Sequence, residues 1–176
     1  MREAGVESIT VTPEHGDQDY LNEVVGKRMD LSDVVNTIQL AHDQDMLVHA
    51  AFMMGFPFET ANLREKTANF ARQIEADSFS VSLVTPLPGT PLWKTVKDNN
   101  LFVDGFNVNR MAYSEVNIVP QDISPDELLT VVTELNKELN EKAQRTRPRA
   151  NEKYKLIQGK MTGGDRKYQF DTQMTL

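Results

Sequence analysis

The chain has no cysteine among its 176 residues. That excludes a disulfide scaffold, a thiol nucleophile, a Cys-ligated zinc site and an iron-sulfur cluster held by the chain's own thiolates. Long apolar runs are missing too: no uninterrupted stretch approaches the roughly 18 to 20 residues of a membrane span, and the opening MREAGVES is not a signal peptide. A soluble, cytoplasmic protein without membrane contact is the expectation. Positive charge is scarce, with 19 Lys and Arg against 26 Asp and Glu. What there is gathers late, eight basic residues against three acidic ones from Arg145 onward, so the body ahead of it is more acidic than the net charge of -7 suggests. An acidic body is a poor nucleic-acid binder, because phosphate contacts need clustered Lys and Arg. The basic end reads as a solvated tail.

What is present is a succession of strand and helix signals. The chain is organised around Leu47 to Thr60, LVHAAFMMGFPFET, an apolar run that stops at Gly-Phe-Pro and then meets Glu59. A run of this kind, bounded by turn residues, reads as a strand buried on both faces of a parallel sheet. Ahead of it, Ile9 to Pro13 reads as a strand followed by the polar loop EHGDQ. A short helix over Tyr20 to Val25 stops at Gly26, and a helix capped by Asp30 or Ser32 carries Leu31, Val34, Val35, Ile38 and Ala41 on one face. After it come a helix from Ala61 to about Glu75, then a strand from Phe79 to Val84. The loop TPLPGTP follows, in which Thr90 caps and Pro91 opens a further helix. Leu101 to Pro120 lacks a clear period and reads as loop with one short strand near Val116 to Val119. Ser124-Pro125-Asp126-Glu127 is a strong helix start, with a stripe of Leu128, Val131, Val132, Leu135 and Leu139, and the helix ends near Arg145 before Pro148. The organisation expected is α/β: β/α units over 1–118, a C-terminal helix over 119–147 and a basic, extended or disordered tail over 148–176.

In parallel α/β folds the carboxyl ends of the strands carry the ligand site. Three loops would share that rim and bring together Glu14, His15, Gln18, Glu59, Thr85 and the backbone around Gly55 and Gly89. Carboxylates and amides suit ribose hydroxyls or an amino group, and a Pro/Gly backbone can lie against an adenine, so a small polar metabolite with an apolar ring is the ligand class.

The succession strand, E-x-G-x-Q, strand, G-x-P-x-E-T, strand, P-x-P-G-T-x-L resembles the second half of the radical S-adenosylmethionine (radical SAM) enzymes. It is most similar to the group with a cobalamin-binding domain ahead of the barrel. Asn22 to Leu31, NEVVGKRMDL, is similar to what that group places after its fourth strand. The resemblance covers roughly Ala4 to Phe102. It implies a partial (β/α) barrel whose strands correspond to the fourth, fifth and sixth of a (β/α)6 barrel. It also implies S-adenosylmethionine contacts from Glu14, Gly16 and Gln18 at the first loop, Gly55, Pro57 and Glu59 at the second, and Pro86, Pro88 and Gly89 at the third. His15 and Asp17 stand where serine is common in the family, and Phe58 where glycine is common. The [4Fe-4S] cluster that cleaves the cofactor in the family, and cobalamin, would belong to a complete enzyme only, since this chain has no cysteine.

Three functions follow as expectations: the C-terminal part of a radical SAM iron-sulfur oxidoreductase or methyltransferase-like enzyme, incompetent alone; a non-catalytic binding or interaction module derived from that fold; or an unrelated hydrolase or isomerase using Glu14, His15 and Glu59 as acid-base groups. The partner expected is the missing N-terminal half or a second copy, either of which would cover a bare sheet edge. No residue is assigned a catalytic role, and the three histidines have no metal-site spacing. Of these, His49 reads as a packed strand residue and His42 as part of a solvated helix face. Trp93 reads as helix-to-sheet packing, the Met53-Met54 pair as core filler, and Glu59 alternatively as a helix-start acid.

Overall fold

The computed structural model describes residues 1–148, 150, 152 and 153. Most of the stretch expected to be an extended or disordered tail lies outside the described residues. Three parallel strands, β1 (Ser8–Glu14), β2 (Leu47–Met54) and β3 (Ser78–Leu83), form one sheet in the order β1-β2-β3. The intervening segments are helical: α1 (Gln18–Tyr20), running on as a π-turn over Leu21–Val25, then α2 (Leu31–Asp43) and α3 (Ala61–Gln73). After β3 come α4 (Pro91–Asp98) and the long α5 (Pro125–Thr146).

Each helix starts where its sequence provides a cap. The Asp30 carboxylate accepts from the Ser32 amide at 2.8 Å, Thr60 accepts from Leu63 and Thr90 from Trp93. Ser124 and Glu127 close a reciprocal capping box at the start of α5. Gly26, at φ 74, ends the π-turn in the left-handed region that glycine takes without steric cost.

β3 and β2 from Val48 onward alternate, while Leu47 at the start of β2 is buried as well. Val48, Ala50, Phe52 and Met54 are buried on one face, joined by Phe79, Val81 and Leu83 of β3. Against this face pack Val34, Ile38 and Ala41 of α2, Ala71 of α3 and Leu128, Val132, Leu135 and Leu139 of α5. Each fully buried Leu or Val contributes on the order of 1.5 to 3 kcal/mol, so this layer is the main core, and Tyr20, Phe56, Val84, Val96 and Ile118 form a second, smaller buried cluster. The opposite face carries His49, Ala51, Met53, Ser78, Ser80 and Ser82, all half-buried.

That alternation departs from the reading of β2 as a strand covered on both faces. One face of the β/α units is open, as in a sheet segment of a barrel, and the described strands are α/β but do not close into one. The stretch 101–120 contains a single antiparallel bridge, Phe102 to Ile118, where a short strand was expected, because only one residue on each side finds a partner. Trp93 packs at a tilt against Phe102 and Phe106 of this stretch, with ring centroids 4.9 and 6.0 Å away.

Candidate functional site at the carboxyl ends of the strands

Because the strands are parallel, the loops after β1, β2 and β3 leave the sheet on the same side. The end of β1 is irregular. Val11 pairs with Ala50 and Glu14 with Phe52, so three steps along β1 match two along β2. Such a bulge bends a strand and re-aims the residue that follows. Glu14 sits there at φ 65 and its carboxylate reaches Lys27 at 3.0 Å. Lys27 also donates to the Thr12 hydroxyl at 2.6 Å and to the Thr12 carbonyl. The Glu14 side chain as a whole is 21% exposed.

The rest of the first loop is fastened to α3. The Gly16 amide donates to the Thr67 hydroxyl at 3.0 Å, and a Cβ at Gly16 would stand 2.6 Å from the Lys66 carbonyl and from the Thr67 Cα. Gly16 is therefore required by close approach of two backbones. Lys66 pairs with Asp17 at 2.5 Å, and this bond, together with the Tyr20 amide, holds the Asp17 carboxyl below its usual range. Gln18 is occupied by the segment that enters α2: its amide nitrogen donates to the Met29 carbonyl at 2.7 Å and its oxygen accepts from the Leu31 amide at 2.9 Å.

The second loop turns through Gly55 (φ 87) and Phe58 (φ 64), with Gly55, Phe56, Pro57 and Glu59 buried and Phe58 half exposed. Glu59 is 1% exposed. One oxygen accepts from the Gly55 amide at 2.6 Å and the other lies 3.3 Å from His15 Nε2. His15 is wholly buried, between Tyr20 at 4.5 Å and the edge of Phe56 at 6.2 Å. Tyr20 donates its hydroxyl to the Pro57 carbonyl at 2.9 Å, and burial together with the neighbouring Glu59 charge pushes its phenol well above the usual range. Sequence reasoning placed His15 and Glu59 on one rim without seeing that they would touch, or that Tyr20 would join them. The aromatic two residues past Gln18 was the only available signal.

The third loop has Pro86 buried and Leu87, Pro88 and Gly89 exposed, Gly89 at φ 86. Thr85 donates to the Ala112 carbonyl at 3.3 Å, and the buried Asn117 amide spans Ala112, Glu115 and Thr85, fixing the segment after α4 beside this loop. The rim thus offers outward the Glu14 carboxylate, the Phe58 ring, Leu87, Pro88 and Gly89. Gly16, Gln18, Gly55, Pro57 and Glu59 face inward and hold the loops. A hollow of about 500 Å³ borders Gln18, Asn22, Arg28, Met29 and Asp30 beside the first loop. A second, of about 290 Å³, is lined by Asp104, Phe106, Arg110, Glu115 and Asn117.

The remaining histidines are structural. His49 lies between the hydroxyls of Ser78 and Ser80 at 2.8 and 2.9 Å, and burial lowers its basicity. His42, expected on a solvated face, instead touches the buried Asp77 at 3.0 Å, because Asp77 turns back toward α2 to accept from the Val48 amide and from Arg147. Among the described residues no group of three His, Asp or Glu side chains is arranged to hold a metal ion, and no helix is long and apolar enough to cross a membrane.

No family model matches the chain. It is 29% identical over 103 residues to an uncharacterised methyltransferase of Pyrococcus horikoshii, a match covering 58% of this chain and 22% of that protein. It is 27% identical over 128 residues to the anaerobic magnesium-protoporphyrin IX monomethyl ester cyclase of Cereibacter sphaeroides, covering 73% and 20%. With the tRNA-2-methylthio-N(6)-dimethylallyladenosine synthase of Thermosipho melanesiensis it shares 29% identity over 97 residues, covering 55% and 19%. The chain spans about a fifth of the length of the curated relatives it matches. The resemblance read from the three loops therefore meets distant relatives of the radical SAM kind, at low identity and over part of the chain.

Proposed function

We propose that this chain is part of a radical SAM enzyme, of iron-sulfur oxidoreductase or methyltransferase-like type, and supplies the ribose and adenine side of the S-adenosylmethionine site. The observation that carries this reading is the common direction of the three loops, which sets one carboxylate and a short apolar edge on a single rim. Glu14 is the hydrogen-bond acceptor for a ribose hydroxyl. Its backbone is fixed by the bulge and its charge is shared with Lys27, so it is aimed before a ligand arrives. Phe58, Leu87 and Pro88 offer flat apolar surface to the adenine, and Gly89 lets the chain pass close to it. Gly16, Gln18, Gly55, Pro57 and Glu59 hold these groups in place through the contacts described above, and the buried Pro86 belongs to the third loop.

The [4Fe-4S] cluster supplies the electron that cleaves the cofactor's sulfonium in a complete enzyme. With no cysteine, this chain holds neither that cluster nor its thiolate ligands, so they come from outside the 176 residues. Any cobalamin belongs to the complete enzyme as well. The partner is a polypeptide carrying the first half of the barrel, or a second copy that covers the open edge, and the substrate is a small molecule reached from the open sheet face.

Half a site binds weakly, so the test is saturation-transfer NMR on the full chain with S-adenosylmethionine at millimolar concentration. The adenine and ribose protons are expected to receive saturation and the methionine methyl group little or none. Glu14→Ala is expected to reduce ribose transfer several-fold while the circular dichroism spectrum stays that of the wild type. A folded chain that transfers nothing to the adenine would end this reading.

A further inference from the structure

His15 and Glu59 are the buried side chains whose polar atoms, Nε2 and Oε1, lack a well-formed hydrogen bond among the described residues, and these two atoms face each other at 3.3 Å. The other atom of each is engaged. His15 Nδ1 accepts from the Asp17 amide at 3.0 Å, and Glu59 Oε2 accepts from the Gly55 amide at 2.6 Å. An amide can only donate, so Nδ1 bears no proton, and a neutral imidazole then carries its proton on Nε2, pointed at Glu59. Both oxygens of Glu59 thus face donors. Leaving either without a partner at such burial is costly, so the two loops constrain each other.

We propose that His15 and Glu59 are a positioning pair: the imidazole of the first loop orients the buried carboxylate that holds the Gly55 amide, and so sets the turn from Gly55 to Glu59. The first loop is in turn anchored on α3 by Gly16 to Thr67 and Asp17 to Lys66, and α3 begins at Ala61, with Thr60 as its cap next to Glu59. Two loops and one helix therefore form a closed ring of contacts. Tyr20 completes it by donating to the Pro57 carbonyl between the two ends of the turn. Neither residue reaches solvent, and each is engaged by the other loop, which is the geometry of positioning. The consequence for cofactor binding rests on the reading given above, whereas the link between the loops does not.

The test is hydrogen exchange of the Gly55 amide, with the His15 ring tautomer read from its nitrogen shifts, on the full chain. In the wild type the ring is expected as the Nε2-protonated form and the Gly55 amide as protected. Glu59→Gln keeps the volume but sets an amide donor against one of the two donors it faces, and is expected to speed Gly55 exchange about tenfold or more. Should that variant fail to fold, His15→Leu and His15→Gln decide the matter. Leucine removes the donor and is expected to speed Gly55 exchange likewise, whereas glutamine places an amide nitrogen near the Nε2 position and is expected to restore most of the protection. A ring protonated on Nδ1, Gly55 exchange unchanged by Glu59→Gln, or equal exchange in the Leu and Gln variants would each overturn the pair. Saturation transfer from S-adenosylmethionine on the same samples separates the two readings. A protected Gly55 amide that responds to His15, with no adenine transfer, retires the cofactor site and upholds the pair. Adenine transfer with an unprotected Gly55 amide retires the pair.

Discussion

Phe58 combines two properties that rarely go together: a half-exposed aromatic ring and a backbone at φ 64. Residues with a Cβ pay on the order of 1 to 2 kcal/mol to occupy that region, and glycine does not. This explains why the resembling family favours glycine there, and it makes the position informative. Phe58→Gly removes the strain together with the ring, while Phe58→Ala removes the ring alone. Urea denaturation is expected to place the glycine variant about 1 kcal/mol above the alanine variant; equal stabilities would mean that the turn relaxes. His49 gives a prediction of another kind. Burial between two serines lowers its pKa below the unfolded value of 6.5, so the unfolded chain binds the proton more readily. The stability it contributes is complete above 6.5 and is lost as pH falls from there through the folded value. Between pH 7.5 and 5.5 the wild type is expected to lose stability with a slope of at most ~1.4 kcal/mol per pH unit from this group, and His49→Gln is expected to flatten that part of the curve. At this scale the sequence was legible where a residue's role follows from its neighbours in the chain, as with Thr90, Ser124 and the strand residue His49. It was illegible where the partner is distant: nothing near His42 announces Asp77, and nothing near Glu59 announces His15.

The helices and strands themselves were read closely from periodicity and caps, because burial on one face imposes alternation on strands and a stripe on helices. What the pattern hides is the use of polar residues inside a stripe. Asn136 and Asn140 lie one turn apart on α5, and both turn their amides onto the free edge of β3. The Val81 amide donates to Asn136 at 2.7 Å and the Val81 carbonyl accepts from it at 2.6 Å, while Asn140 does the same for Phe79 at 3.0 Å in each direction. A helical repeat of about 6 Å per four residues nearly matches two residues of strand, so the two side chains imitate a fourth strand. The edge of β3 is closed by the chain's own helix. Asn136→Ala leaves a strand amide and carbonyl without partners, and is expected to cost about 1 to 3 kcal/mol in urea denaturation. It is also expected to raise concentration-dependent self-association above that of the wild type by size-exclusion chromatography, since a second bare edge recruits strands. Stability lost without any new association would mean that α5 still shields the edge sterically.

The molecule is consequently asymmetric across its sheet. With β3 capped, growth by strand addition is left to β1, and the geometry there can be stated residue by residue. The Leu47 amide donates to the Glu7 carbonyl, so Glu7, Ile9 and Val11 direct their backbone groups toward β2 and the alternate residues Ser8 and Thr10 direct theirs outward. The other end of the same strand is bent by the bulge at Glu14, which limits pairing to the first half of β1. This asymmetry was not legible in the sequence, where β1 and β3 both read as short strands with equal claims to an open edge; the difference lies in α5, some fifty residues beyond β3 in the chain. It yields a prediction for the whole chain. The wild type is expected to associate with itself as concentration rises, through β1. Thr10→Pro removes one outward amide without touching the β1 to β2 ladder, and proline is tolerated at such edge positions. Sedimentation velocity is therefore expected to find Thr10→Pro monomeric and as stable as the wild type to within about 1 kcal/mol. Val11→Pro, one residue along, strikes an inward amide and is expected to cost about 3 kcal/mol or more. If Thr10→Pro associates as the wild type does, the contact lies on the open face of His49, Ser80 and Ser82 instead, and the edge of β1 is covered by something other than a strand.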